Sequence, residues 1–364
     1  MTKKNMLVIL GLLAALMITG AAGAFPAPAA DPFPALEKKL ESLVKKKDGM
    51  HIGLAFCHVE KGSFFSMRGD ELFPLASVFK VPLLVAVLQK IDRKEASLSS
   101  QLVIHEHDKC IGSGSLQDQA AGSKVTVERA MELMITVSDN TATDILWEFT
   151  GTEAVSGVMP GLGLVHNAIY LPNRPGYLIS LGLGSEWKGK SAGQIAALWG
   201  KKSMEGRKKS IRAVLEENRN LTRSRFQAAE DASAARQTGA SYYDDVAVAK
   251  ALDNMCSPAD MARLLEKLFK GEILSRHSTA LALGVLSRTK FNTRIPGNLP
   301  SSVKVFHKTG TICGIVNDAG IIEVSKNSHA VLVVFICDIE EGRAGEAGRT
   351  IAQIARMVYD SCPR

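Results

Sequence analysis

The spacing of apolar positions changes twice along the chain, from helical to alternating and back. Leu36, Leu40, Leu43 and Val44 recur at helical spacing and predict an amphipathic first helix. Segments 52–58 and 63–67 predict two strands around the turn residues Lys61-Gly62. Beyond Phe73-Pro74 the pattern turns helical, with helices expected over 78–91, 127–136, 140–149 and 258–270. Strands return at 303–307, 319–324 and 330–337. A last helix over 348–359 then carries Ile351, Ile354, Ala355 and Val358 on one face. Strands at both chain ends with helices between imply a composite of α/β and all-helical parts. The expected fold is an antiparallel sheet flanked by the terminal helices (residues 35–72 and 276–364) with an inserted helical domain (73–275). A small-molecule site is expected in the cleft between them.

The first 24 residues follow another rule. Lys3 and Lys4 precede an uncharged apolar run from Met6 to Thr19, and Ala22-Gly23-Ala24 fits a small-x-small cleavage site. That run is short for a bilayer span, which takes about 20 apolar residues. A cleaved signal peptide over 1–24 is expected, with export to the periplasm or medium. Residues 25–34, with Pro26, Pro28, Pro32 and Pro34, are expected to form a tether.

Composition is that of a globular protein, 46% hydrophobic and 22% charged. The formal charge of +7 is concentrated: from Ser185 to Ala240 twelve Lys or Arg stand against six Asp or Glu. Such a stretch is a solvated helix face, or a surface that could lean on an anionic envelope. Its aromatics are sparse (Trp187, Trp199 and Phe226), so nucleic-acid binding is not expected. Cys57, Cys110, Cys256, Cys313, Cys337 and Cys362 match no small disulfide framework and no C-x-x-C metal or redox site. Their pairing stays open. A monomer is expected.

Ser-x-x-Lys begins at five positions, Ser42, Ser77, Ser185, Ser287 and Ser301, and context selects among them. Ser77-Val78-Phe79-Lys80 follows the break at Phe73-Pro74 and opens the apolar run 81–88, so it sits at a helix start. Three residues make about one turn, which stacks hydroxyl and amine on one face. A neutral lysine there can take the serine proton if burial or a second cation lowers its pKa. Ser138-Asp139-Asn140 and Lys308-Thr309-Gly310 each occur once. The first lies in a turn between two helices, where Asp139 and Asn140 can cap the second. In the second, Lys308 ends the strand expected over 303–307.

Taken in order, these three motifs resemble those of class A β-lactamases and penicillin-binding proteins. The similarity covers most of 36–359, extending to Thr136-Val137-Ser138-Asp139-Asn140-Thr141-Ala142-Thr143 and to Ser257-Pro258-Ala259-Asp260-Met261-Ala262-Arg263-Leu264-Leu265. It is stronger to the class A branch. The resemblance implies a β-lactamase-like fold and a serine hydrolase that opens β-lactams through an acyl-enzyme. A penicillin-binding D-alanyl-peptide hydrolase with slow deacylation is the alternative. It also implies roles: Ser77 attacks, Lys80 activates it, and Ser138 relays a proton to the leaving nitrogen beside the charge of Lys308. Backbone N–H groups of Ser77 and Thr311 would hold the oxyanion. Thr309 and Thr311, next to Gly310, would hold the substrate carboxylate, and Asn140 its side-chain amide. Arg294 lies where some class A enzymes place an auxiliary arginine. No metal or cofactor is implied.

The resemblance fails at one functional place. Class A enzymes carry a Glu-x-x-Leu-Asn loop, but here the corresponding stretch, Leu171-Pro172-Asn173-Arg174-Pro175, holds no carboxylate. An insertion near 176–236 follows. Counting forward through it points to Glu216 as deacylation base. Counting back from Ser257-Pro258 points to Asp244 and Asp245, with Asp245 preferred. Fast acylation and slow turnover are expected. Ala76 also stands where many class A enzymes have a cysteine.

Overall fold

In the computed structural model, which describes residues 33–234 and 241–364, the chain opens with α1 (Phe33–Val44). The helix starts two residues inside the expected tether, with Pro34 in the first turn, where a missing N–H is tolerated. The segment 1–24, expected as a signal peptide, lies outside the described residues. The hairpin β1 (His51–His58) and β2 (Ser63–Met67) follows, then β3 (Phe73–Pro74) and α2 (Lys80–Asp92). Strands β4 (Gln101–Val103) and β5 (Lys124–Thr126) pair with each other. Helices α3 (Val127–Thr136), α4 (Asn140–Thr150) and α5 (Thr152–Gly157) pack with α2. After β6 (Asn167–Ala168) come α6 (Asn173–Ser180), α7 (Ala192–Gly200), α8 (Met204–Glu217), α9 (Arg223–Ala234) and α10 (Tyr242–Ala251). Then β7 (Met255–Cys256), α11 (Pro258–Phe269) and α12 (Arg276–Leu286) lead to β8 (Val305–Ile312), β9 (Ile315–Ser325), β10 (Ser328–Cys337) and α13 (Ala344–Ser361).

The two chain ends build one antiparallel sheet in the order β2-β1-β10-β9-β8. Its centre, β10, is buried at every position. Ala330, Leu332, Val334 and Ile336 pack towards α1 and α13, while Val331, Val333, Phe335 and Cys337 face the opposite core. Burial on both faces explains why this strand reads as an unbroken apolar run rather than an alternation. Strand β8 is an edge, and it runs past His307 through Lys308-Thr309-Gly310 to Ile312. The motif is therefore inside the strand, not at its end.

The boundary expected at 275 grouped α11 with the helical part, yet α11 lies on the sheet. Ser257 Oγ accepts the Asp260 N–H at 3.1 Å, and Pro258 occupies the first turn. The buried face of α11 (Met261, Leu264, Leu265 and Leu268) then packs on β1, β9 and β10. Helix α12 bridges α2, α3 and β8. The inserted helices have a separate core, in which Trp187 and Trp199 (rings 5.9 Å apart), Ile195, Val214 and Phe226 join Tyr170, Leu171 and Val248. Many of its basic side chains are in ion pairs, as in Lys202–Glu186 at 2.5 Å and Arg212–Glu205 at 3.0 Å. All six cysteines are free, and burial pushes the Cys57, Cys337 and Cys362 thiols up to about 12.

Candidate active site

The turn that presents Ser77 is held from outside. Leu75 N–H donates to the Asn254 carbonyl at 2.9 Å, and Ala76 N–H to Asp253 Oδ2 at 2.6 Å. Ala76 adopts φ +45°, a conformation that strains a residue with a Cβ and persists where the surroundings impose it. A short 3₁₀ turn, Ala76–Phe79, then feeds α2, which begins at Lys80. Ser77 is half-buried and lines a cavity of about 470 Å³.

Lys80 is fully buried. Its Nζ donates to the Ser138 carbonyl at 2.7 Å, to Ser138 Oγ at 3.0 Å and to Asn140 Oδ1 at 2.9 Å. Burial lowers its pKa to about 8, against the opposing charges of Asp144 and Asp139. The three acceptors come from the turn between α3 and α4. There Ser138 has φ +58°, and Asp139 caps α4 by accepting the Ala142 N–H at 2.9 Å. Asp139 Oδ2 also accepts the Leu116 N–H at 2.9 Å, which fixes the turn from its other side.

Strand β8 forms the facing wall. Lys308 is fully buried, with Nζ donating to the Thr309 carbonyl at 2.8 Å. Burial, then the charge of Lys80, holds its amine well below the usual lysine range. A Cβ on Gly310 would stand 2.4 Å from the Leu75 carbonyl oxygen and 3.2 Å from the Ser77 nitrogen, so only glycine lets the strand approach the nucleophile turn this closely. Arg294 donates from Nη1 to the Gly310 carbonyl at 2.8 Å and the Asn317 carbonyl at 2.6 Å, and from Nη2 to Thr311 Oγ1. Its guanidinium thus sits at the exposed end of the motif. His307 faces the other way, its Nδ1 2.9 Å from Asp318 Oδ1.

The carboxyl-free loop leans on Asp144, one turn beyond Asn140. Its carboxylate accepts Asn173 N–H at 2.8 Å, Asn173 Nδ2 at 2.9 Å and Arg174 N–H at 2.6 Å, while burial raises it to about 6. Arg174 donates onward to the carbonyls of Lys109, Asn218 (3.3 Å) and Leu221 (3.2 Å). Its guanidinium lies 5.0 Å from the centre of the Phe226 ring. One side chain therefore fastens the loop to the insertion.

The structure separates the three expected bases. Glu216 is exposed, 3.9 Å from Arg219, and borders a different cavity of about 660 Å³ behind the loop. Asp244 is exposed and faces α7, its Oδ1 3.0 Å from the position a Cβ on Gly193 would take. Asp245 does line the Ser77 cavity, near Cys313. Burial and the charge of Asp244 raise its carboxyl. Two cavity-lining acids were missed, Glu230 on α9 and Asp253 before β7. For Glu230 a signal existed: it follows Phe226 by four residues, hence shares its face.

With this geometry in place, the profile of the β-lactamase enzyme family matches residues 35–362. The chain belongs to that family. A β-lactamase of Streptomyces albus G is 33% identical over 133 residues, which is 35% of this chain and 42% of that protein. β-Lactamase VEB-1 of Pseudomonas aeruginosa is 22% identical over 89% of both chains. Among solved structures, PBP-A superposes with a TM-score of 0.65 at 25% identity, over 90% of this chain and 95% of that one. The TLA-1 extended-spectrum β-lactamase shares the fold at a TM-score of 0.65 and 22% identity, over 91% of this chain and 99% of that one. The β-lactamase-like fold is thereby shown.

Proposed function

We propose that this family member is an exported class A-type serine β-lactamase that hydrolyses its substrate through a Ser77 acyl-enzyme. The observation that carries the reading is the buried Lys80 amine, lowered to about 8 and bonded to Ser138 and Asn140 beside the nucleophile turn. In its neutral form Lys80 has a lone pair and accepts the Ser77 proton as Oγ attacks the lactam carbonyl carbon. The proton passes through Ser138 Oγ to the ring nitrogen as the C–N bond breaks. Ser77 and Thr311 N–H groups receive the oxyanion at the close approach that Gly310 permits. Thr309, Thr311 and Lys308 take the substrate carboxylate, with the Arg294 fork behind Thr311. Asn140 spends Oδ1 on Lys80, donates from Nδ2 to the Ile111 carbonyl at 2.9 Å and is also hydrogen-bonded to the Tyr177 phenol, so a substrate amide would take the place of Tyr177.

A penicillin-binding D-alanyl-peptide hydrolase is the second reading, favoured by the lack of a carboxylate between Leu171 and Pro175. It also draws on the likeness to PBP-A, a variant of which has been solved as an acyl-enzyme with penicillin G. Intact mass after a benzylpenicillin pulse tests both. Wild type should gain one acyl group and Ser77→Ala none. Equal labelling of the two removes Ser77 from the mechanism. Decay of the adduct with turnover favours the first reading, and a persistent adduct the second.

A further inference from the structure

Hydrolysis of an acyl ester in a cleft needs a base for the attacking water. Among the described residues, three carboxyl groups line the Ser77 cavity: Glu230, Asp245 and Asp253. Asp253 has both oxygens committed, Oδ2 to the Ala76 N–H at 2.6 Å and Oδ1 to its neighbour Asn254 N–H at 2.7 Å. Asp144 accepts its three bonds from the loop and is not part of this lining. Asp245 stands beside Cys313, just after the strand that carries the Lys-Thr-Gly motif.

We propose that Glu230, brought into the cleft by the insertion, is the base that activates water against the Ser77 acyl ester. The inference rests on the acyl-enzyme reading above. Helix α9 has a defined roll: Phe226 is fully buried under Arg174, and the Arg223 N–H is held by Glu106 Oε1 at 2.7 Å. Four residues on, Glu230 shares the Phe226 face and meets the cavity that Ser77, Asn140, Asn173 and Tyr177 also line. Among the described residues its one hydrogen bond is from Gln227 Nε2 to Oε2 at 3.0 Å, and none reaches Oε1. The Tyr177 phenol, which lines the same cavity, is raised by burial first and then by neighbours that include Glu230.

In the step itself, Glu230 takes one proton of the water as the water oxygen bonds to the acyl carbonyl carbon. The tetrahedral intermediate collapses, the C–Oγ bond breaks, and the proton held by Glu230 returns to Ser77 Oγ. Free serine and a carboxylic acid result. This supplies what the loop lacks and replaces the expectation of slow turnover.

The test follows the benzylpenicillin adduct of the full-length protein by rapid-quench mass spectrometry. Glu230→Gln should acylate at the wild-type rate and hold the adduct about 10²–10⁴-fold longer, the usual worth of a positioned base. Glu230→Asp should fall between. A Glu230→Gln adduct that decays like wild type overturns the proposal. So does a longer lifetime in Asp245→Asn than in Glu230→Gln, which transfers the role to Asp245. If wild type never forms an adduct, the acyl-enzyme reading fails at the first step, before Glu230 enters.

Discussion

Adding one methyl group at Gly310 should disable the site while leaving the fold. A Cβ there would stand 2.4 Å from the Leu75 carbonyl oxygen, 3.1 Å from the Ala76 Cβ and 3.2 Å from the Ser77 nitrogen. Ordinary contact distance is about 3.5 Å, so strand and turn must part by about 1 Å. The turn has little room to retreat. Asn254 and Asp253 hold Leu75 and Ala76, and the Pro74 carbonyl accepts Asn317 Nδ2 at 2.7 Å. Most of the displacement therefore falls between the Ser77 and Thr311 N–H groups proposed for the oxyanion. A misplacement of about 1 Å costs on the order of 10²-fold in rate, or about 3 kcal/mol. Overpacking should cost about 1–3 kcal/mol of stability, too little to unfold an ordinary domain. Stopped-flow acylation with nitrocefin and thermal unfolding of Gly310→Ala separate the two effects. Acylation within about threefold of wild type would refute the argument that this approach shapes the site.

Two further outcomes follow from the cleft's cations. Lys308→Ala should weaken both binding and acylation, by about 2–4 kcal/mol in transition-state terms, read as kcat/KM across several β-lactams; an unchanged acylation rate removes Lys308 from the site. Because burial lowers Lys80 to about 8, its neutral form grows as pH rises through that value, so the acylation rate should climb between pH 7 and 9. A rate flat over that window would mean Lys80 is not the base.

Legibility in the sequence tracked how local each determinant was. Segments 63–67 and 127–136 were readable to the residue, because turn residues and a Thr126 cap mark their ends within a few positions. Ser77, Lys80 and Ser138 were readable because short motifs encode their spacing; in the structure Lys80 bonds to Ser138, and Ser77 lines the adjoining cavity. Lys308 was found, but its strand was cut short, since Thr309-Gly310-Thr311 has no apolar alternation to extend it. Glu230 was passed over for a different reason: its spacing from Phe226 fixes a shared face, but not what that face meets. Its place depends on Arg174 gripping Phe226 and on Glu106 holding Arg223 from 117 positions away, contacts that no local pattern records. The placement of α11 on the sheet was likewise tertiary, because an amphipathic helix does not say which core it will face.

The strand order β2-β1-β10-β9-β8 also dictates when the sheet can exist. Strand β1 has only β2 beside it until β10 has been synthesised; Glu60, which follows β1, accepts the His329 N–H across 269 residues. At about 5–20 residues per second, that interval lasts roughly 15–50 s on a ribosome. A two-stranded hairpin is marginal in water, and this one has only α1 to cover Leu54, Phe56 and Phe65 until β10 arrives. Native sheet formation is therefore a late event, gated by release of the C-terminal strands. Until then the nascent chain carries exposed hydrophobic surface that holdase chaperones would recognise.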